Sequence, residues 1–133
     1  MSVRAVIEQF IKAINDRDFA TLEGLATPDA TYWTAGPEGK LPSAGTLTYS
    51  KRIGHMPASF ERMKSFSFSP IDVIVDGELG AAEVAIKGEG LGGQGYENSA
   101  ILKFVVKGGK IHSVKEYIDT SPIFALMAAS GAA

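Results

Sequence analysis

The sequence predicts an α+β fold in which helices come first and a curved antiparallel sheet follows. Three observations carry that prediction. Apolar residues recur at helical spacing near the N-terminus, where Val3, Val6, Ile7, Phe10, Ile11 and Ile14 share one face. From Ser65 onward the pattern changes to an alternation of period two. Glycine-bearing dipeptides of the hairpin type, Asp76-Gly77 and Gly108-Gly109, punctuate that second half.

The elements follow in order. The first helix is expected to end near Asn15-Asp16-Arg17. Asp18 then reads as the N-cap of a short second helix buried through Phe19, Leu22 and Leu25. Thr27-Pro28-Asp29 has turn composition, and Ala30 to Thr34 is a short strand rich in β-formers. Residues 35–48 hold three glycines and two prolines and read as a loop. A third helix is expected from Tyr49 to Met63, with Tyr49, Ile53, Met56 and Phe60 inward and a kink or break at Gly54 or Pro57. Four strands follow as a meander: Phe66–Val75, Ala81–Leu91, Tyr96–Lys107 and Lys110–Thr120. Ser121-Pro122 supplies a cap and a first-turn proline for a closing helix, Ile123–Ala129. Helices covering one face of a strongly bent sheet make a cone, and its open end is a natural pocket.

Bulk properties narrow the function. The 133 residues fit one domain, and a chain of that length buries about two-thirds of its unfolded surface. The net charge of −2 argues against nucleic acid as the main partner. With no cysteine there is neither a disulfide framework nor a thiolate metal site. No apolar stretch is long enough to span a bilayer and no signal segment is visible, so the expected location is the cytoplasm. Gly88-Glu89-Gly90-Leu91-Gly92-Gly93 matches a dinucleotide-binding glycine motif by letter, but a strand follows it, where that motif requires a helix. The glycines serve a hairpin tip.

The last strand carries the principal candidate for chemistry. Val114, Glu116 and Ile118 share a face, so a carboxylate sits in the middle of an apolar row. A carboxyl in dry surroundings has a raised pKa and suits general acid or base work near neutral pH. A structural carboxylate, satisfied by nearby hydroxyl and amide donors, is the plainer reading. On the preceding strand Tyr96, Asn98, Ala100, Leu102, Phe104 and Val106 share the inner face. Asn98 there either orients a ligand or bonds Glu116 or backbone. Glu83 reads as solvated unless a bulge shifts its register. His55 sits beside the inner stripe of the third helix and reads as a solvated residue. His112 lies four residues from Glu116, about 13 Å along a strand, so the two cannot share a metal ion. No metal site and no cofactor are expected.

The chain resembles the cystatin-like α+β barrel family of nuclear transport factor 2, ketosteroid isomerase, limonene epoxide hydrolase and the SnoaL-type polyketide cyclases. The resemblance runs over essentially the whole chain. Its carriers are Phe10 to Asp18, Asp29-Ala30-Thr31-Tyr32-Trp33, Ala44-Gly45-Thr46, Gly109-Lys110-Ile111 and Glu116 to Thr120. It implies that Tyr32 and Thr34 face the cavity. The ketosteroid isomerase triad does not carry over, because Phe10, Thr34 and Leu102 occupy its three positions. Of the epoxide hydrolase machinery, Tyr32-x-Thr34 is similar to its first-strand pair and Glu116 to its last-strand acid. No Arg-x-Asp pair occurs in residues 81–107.

Two functions are open on these residues. The first is a cofactor-free enzyme acting by acid/base chemistry on a small lipophilic molecule such as a polyketide or terpenoid. Glu116 would move the proton. Tyr32, Thr34, Tyr96 and Asn98 would position substrate or water, and Trp33, Tyr49, Met56 and Phe60 would shape an apolar chamber. The second is a binding module of the same fold with no chemistry. Ile101 and Val105 interrupt the polar outer face of their strand, which with the resemblance implies a homodimer through the outer face of the sheet.

Overall fold

A computed structural model describes residues 1–129. Helix α1 spans Val3–Asn15, with the Ser2 hydroxyl accepting from the Ala5 amide at its start. Its apolar stripe is buried as the spacing requires. The helix ends in a Schellman turn: the Asp18 amide donates to the Ala13 carbonyl and the Arg17 amide to the Ile14 carbonyl. The left-handed residue of that turn is Arg17 (φ 58°), where glycine is usual. Its guanidinium donates to the Ile14 and Phe66 carbonyls and lies 4.2 Å from the Phe60 ring centroid. Those contacts offset the backbone strain and tie the helix end to the sheet.

Helix α2 (Phe19–Gly24) is capped by Asp18, as expected. Strand β1 covers Ala26–Thr34, longer than predicted. The predicted turn at Thr27-Pro28-Asp29 is instead an irregularity inside β1, where pairing with β6 jumps from Ala26–Ile111 to Thr31–Ser113. Proline and aspartate are turn formers, and here they make a bulge rather than a reversal. Part of the predicted loop is also a strand, β2 (Gly45–Thr48). It is four residues long and starts with a glycine at φ 90°, too little alternation to be read from sequence. Helix α3 (Tyr49–Glu61) passes through Gly54 and Pro57 without the predicted break.

Strands β3 (Met63–Asp76), β4 (Leu79–Gly90), β5 (Gly95–Lys107) and β6 (Lys110–Ile118) form the meander. Gly108 and Gly109 are both at positive φ in the β5–β6 turn, while the β3–β4 turn is Gly77-Glu78, one residue later than predicted. The sheet order is β2-β1-β6-β5-β4-β3. It departs from the prediction in two ways. The β1–β6 pair is parallel, so the sheet is mixed, and β2 and β3 remain edges, so it does not close. Alternation reports which face a residue takes but not the direction of its neighbour.

Helices α1 and α3 cover the concave face and bury Phe10, Ile14, Tyr49, Ile53 and Met56 against the sheet. Gly80 lets α1 approach β4 closely, since a Cβ there would stand 2.4 Å from Ile7 Cδ1. Helix α4 (Ser121–Ala129) closes the open end without burying any residue fully. Its cap differs from the prediction: the Asp119 carboxylate accepts from the Ser121 amide. No helix among the described residues is long and apolar enough to cross a membrane.

Arg17 provides a stability test. Arg17→Ala keeps the strained φ and removes the guanidinium contacts, whereas Arg17→Gly removes both strain and contacts. Urea denaturation is expected to show Arg17→Ala as the less stable variant by about 1 kcal/mol. Equal stability would mean the turn carries no strain.

Candidate active site

A cavity of about 320 Å³ opens between the concave face of the sheet, α3 and α4. Its walls are mostly apolar, with Met56 and Phe60 from α3, Phe68 from β3, Ile86 from β4, and Ile123 and Leu126 from α4. Helix α4 therefore covers the pocket of its own chain. Into these walls project Thr34, Arg52, Tyr96 and Glu116.

Glu116 is placed by the strand register. It pairs with Thr34 on the parallel neighbour β1 and with Leu102 on β5. Its carbonyl accepts from the Ala35 amide at 2.9 Å, which locks the end of β1 to β6. The residue is 5% exposed. The Tyr32 hydroxyl donates to its Oε1 at 2.5 Å. Oε2 has no hydrogen-bond partner among the described residues, and Glu116 lines the cavity. A carboxylate so placed has one oxygen anchored and one free to take a proton.

Tyr32 stands behind Glu116 in the core, 1% exposed, rather than in the cavity lining. Burial, and then the negative charge of Glu116, hold its hydroxyl pKa well above the usual tyrosine value, while the Arg52 cation opposes them. At neutral pH it is therefore a donor, which the carboxylate needs. The Arg52 guanidinium carbon lies 5.3 Å from the Tyr32 ring centroid.

The other predicted residues separate into groups. Thr34, Met56, Phe60 and Tyr96 line the cavity with Glu116. Tyr49 does not; it is core, its hydroxyl donating to the Leu22 carbonyl at 2.7 Å and its ring 6.3 Å from that of Tyr32. Trp33 points to the opposite face of β1 and packs on Tyr117 with centroids 5.0 Å apart, so it is no wall of the chamber. Asn98 is on the inner face of β5 but bonds the Tyr96 hydroxyl and the Asp119 carbonyl, outside the cavity lining. Of its two readings, the bond to backbone is the one seen. Burial raises the pKa of Tyr96, and the Asn98 hydrogen bond partly offsets this. Glu83 faces solvent; the bulge in that strand pair lies in β3, between Pro70 and Asp72. His55 is exposed and His112 sits half-buried at the irregularity where β6 meets β5. Among the described residues no three His, Asp or Glu side chains group to hold a metal ion.

Arg52 was not anticipated. Arginine on a helix reads as solvated, and Arg52 flanks the inner stripe rather than lying on it. Its spacing, three residues after Tyr49 and four before Met56, was the available signal. Loop residues Leu41, Pro42 and Ser43 also line the cavity and carry no pattern that would have marked them.

Residues 7–114 match the model of the SnoaL-like domain. The chain belongs to the SnoaL-like domain family. Its fold is the cystatin-like one. Among curated proteins, this SnoaL-like chain is similar to UPF0523 protein B of Dictyostelium discoideum, 29% identical over 84% of this chain and 72% of that one. Among solved structures it is similar to IdmH, described as a putative polyketide cyclase from Streptomyces antibioticus. The TM-score is 0.80 at 19% identity, covering 96% of this chain and 99% of IdmH. A limonene-epoxide-hydrolase-like epoxide hydrolase of M. tuberculosis gives 0.73 at 18%, covering 98% and 96%. Likenesses at this identity establish a shared fold.

The buried tyrosines of the SnoaL-like chain give a pH test. Burial raises the pKa of Tyr32, Tyr49 and Tyr96 above that of an unfolded tyrosine. Their contribution to stability is full below the unfolded value of about 10 and is lost as pH rises beyond it. Tyr32→Phe is expected to lose less stability than wild type between pH 9 and 11 in urea titrations. Parallel losses in the two proteins would place Tyr32 in contact with water.

Proposed function

We propose that this protein is an enzyme that carries out acid/base chemistry on a small lipophilic molecule, with Glu116 as the group that moves the proton. The observation behind this reading is the carboxylate itself, buried in the wall of a mostly apolar cavity with one oxygen held by Tyr32 and the other without a hydrogen-bond partner among the described residues. A cavity that merely holds an apolar ligand gains nothing from the desolvation cost of such a group. The family match and the likeness to a putative polyketide cyclase and an epoxide hydrolase support an enzymatic role of this type.

In the proposed reaction the substrate displaces solvent from the chamber, and Glu116 Oε2 accepts a proton from it. Tyr32 keeps the carboxyl in one orientation throughout and stays protonated. The same carboxyl then returns the proton at another position, or to another atom, giving isomerisation, cyclisation or elimination. No cofactor takes part. The apolar walls keep water from competing for the proton.

The test uses 2-tetralone as a simple lipophilic carbon acid. Wild-type protein in heavy water is expected to accelerate exchange of its α-hydrogens, followed by proton NMR. Glu116→Gln, which keeps size and shape, is expected to lower that rate by about a hundredfold. Exchange that is equally fast in Glu116→Gln would discard the acid/base reading in favour of a non-catalytic binding module.

The proposal extends to assembly. The outer face of the sheet exposes Ile101 and Tyr117, register partners on β5 and β6, with Trp33 beside Tyr117 from β1. An apolar patch of this kind suits a second copy of the chain. Size-exclusion chromatography with light scattering is expected to show a mass near twice the 14.1 kDa of one chain. A single-chain mass at micromolar concentration would rule the dimer out.

A further inference from the structure

The two edges of the open sheet differ. Strand β2 is four residues long and offers little for another strand to pair with. Strand β3 is 14 residues long and has a neighbour, β4, on one side only. An edge of that length presents a row of backbone N–H and C=O groups to any other strand. In β3 that row is met by side chains of α1 and of the turn that ends it.

The Asn15 side chain donates to the Phe68 carbonyl and accepts from the Phe68 amide, both at 2.8 Å. Those are the two bonds that an antiparallel neighbour makes to a paired residue. Two residues earlier, the Phe66 carbonyl accepts from Arg17 at 3.3 Å. Two residues later in the same outward row, Pro70 has no N–H to offer. The bulge between Pro70 and Asp72 then shifts the row by one residue, and the Val73 carbonyl accepts from Arg4 at 3.1 Å. The spacings match. Arg4 to Asn15 is a rise of about 16 Å in a helix, and Phe68 to Val73 spans about 16 Å in a strand. Asparagine suits the central position because its amide carries a donor and an acceptor, whereas arginine only donates.

We propose that α1 stands in for a missing neighbour strand, and that Asn15 holds the β3 edge shut against pairing with the β3 edge of a second copy of this chain. Two identical edges can pair antiparallel about a two-fold axis, so no partner of another sequence is needed. The strand is rich in β-formers, and it exposes Ile71 and Ile74, 54% and 68% accessible. This contact is separate from the patch of Ile101 and Tyr117 on the outer face of β5 and β6.

Amide exchange followed by NMR, together with sedimentation velocity, tests this on the full chain. In wild type the Phe68 amide is expected to exchange at least about a hundredfold slower than in the unfolded chain. Asn15→Ala is expected to accelerate Phe68 about tenfold more than Leu102 on the interior strand β5. It is also expected to form a species heavier than wild type at concentrations about tenfold below those wild type needs. Adding Ile71→Lys places a charge on the edge and is expected to remove that species while Phe68 stays fast. Leu91→Lys, on the exposed β4–β5 hairpin, is expected to leave it in place. Arg4→Ala, at an exposed position, opens the edge at Val73. It serves if Asn15→Ala does not fold, and is expected to give the same heavier species, removed by Ile71→Lys. Equal acceleration at Phe68 and Leu102 would make Asn15 a general stabiliser and overturn the proposal. So would a wild-type Phe68 amide as fast as in the unfolded chain, unchanged sedimentation in both variants, or a heavy species that ignores Ile71→Lys or yields equally to Leu91→Lys.

Discussion

The hydrogen bond from Tyr32 to Glu116 is the interaction on which the site depends. An ionised carboxyl brought into an apolar cavity and left unpaired costs several kcal/mol, a large share of a domain's net stability. One strong donor offsets part of that cost, because hydrogen bonds to charged groups contribute about 1.5–3 kcal/mol. The donor is itself fixed by packing. The Tyr32 ring lies against that of Tyr49, whose hydroxyl binds the Leu22 carbonyl and so joins α3 to α2. Phe10 brings α1 into the same aromatic group, 6.5 Å from Tyr49 and 5.2 Å from Phe104. Three helices thus converge on the orientation of one phenol.

The parallel contact between β1 and β6 gives that arrangement its registration. Strands distant in sequence lie side by side, and the pairing sets Tyr32 opposite Val114 and Thr34 opposite Glu116. With a period of two, Tyr32, Thr34 and Glu116 all face inward, while Trp33, Lys115 and Tyr117 face outward. A slip of one residue between these strands would exchange the two sets and put the carboxylate on the outer surface. The irregularity at Thr27 to Ala30 accommodates the mismatch in length before that registered stretch begins. It is a working part of the strand rather than a flaw in it.

Much of this was legible in the sequence, for identifiable reasons. Helices α1 and α2, strands β3 to β6 and the inward direction of Glu116 all follow from periodicity, which reports burial face directly. What periodicity does not report is strand direction, and the parallel pair escaped for that reason. Segments that are short or rich in glycine and proline carry no period either, so β2 reads as loop and the opening of β1 as turn. Among site residues, Trp33 and Asn98 show the limit of residue type as a guide. An aromatic near a pocket and an amide on an inner face both look like ligand contacts. Trp33 in fact packs against Tyr117, and Asn98 braces the start of α4 through the Asp119 carbonyl. Arg52 shows the converse, since an arginine beside the inner stripe of a helix reads as solvated and yet lines the cavity.

Helix α4 forms part of the cavity wall yet contributes no fully buried residue to the core. At its ends the Ser121 amide donates to the Asp119 carboxylate, the Phe124 amide to the Thr120 carbonyl and the Gln94 side-chain amide to the Ala129 carbonyl. Tyr32 and Glu116 stand on β1 and β6, and both are buried. Ile123 and Leu126 shape the chamber from α4, on an element separate from the strand that carries Glu116. The architecture thus puts the buried carboxylate on strands of the core and part of the chamber's outline on a helix that has no fully buried residue.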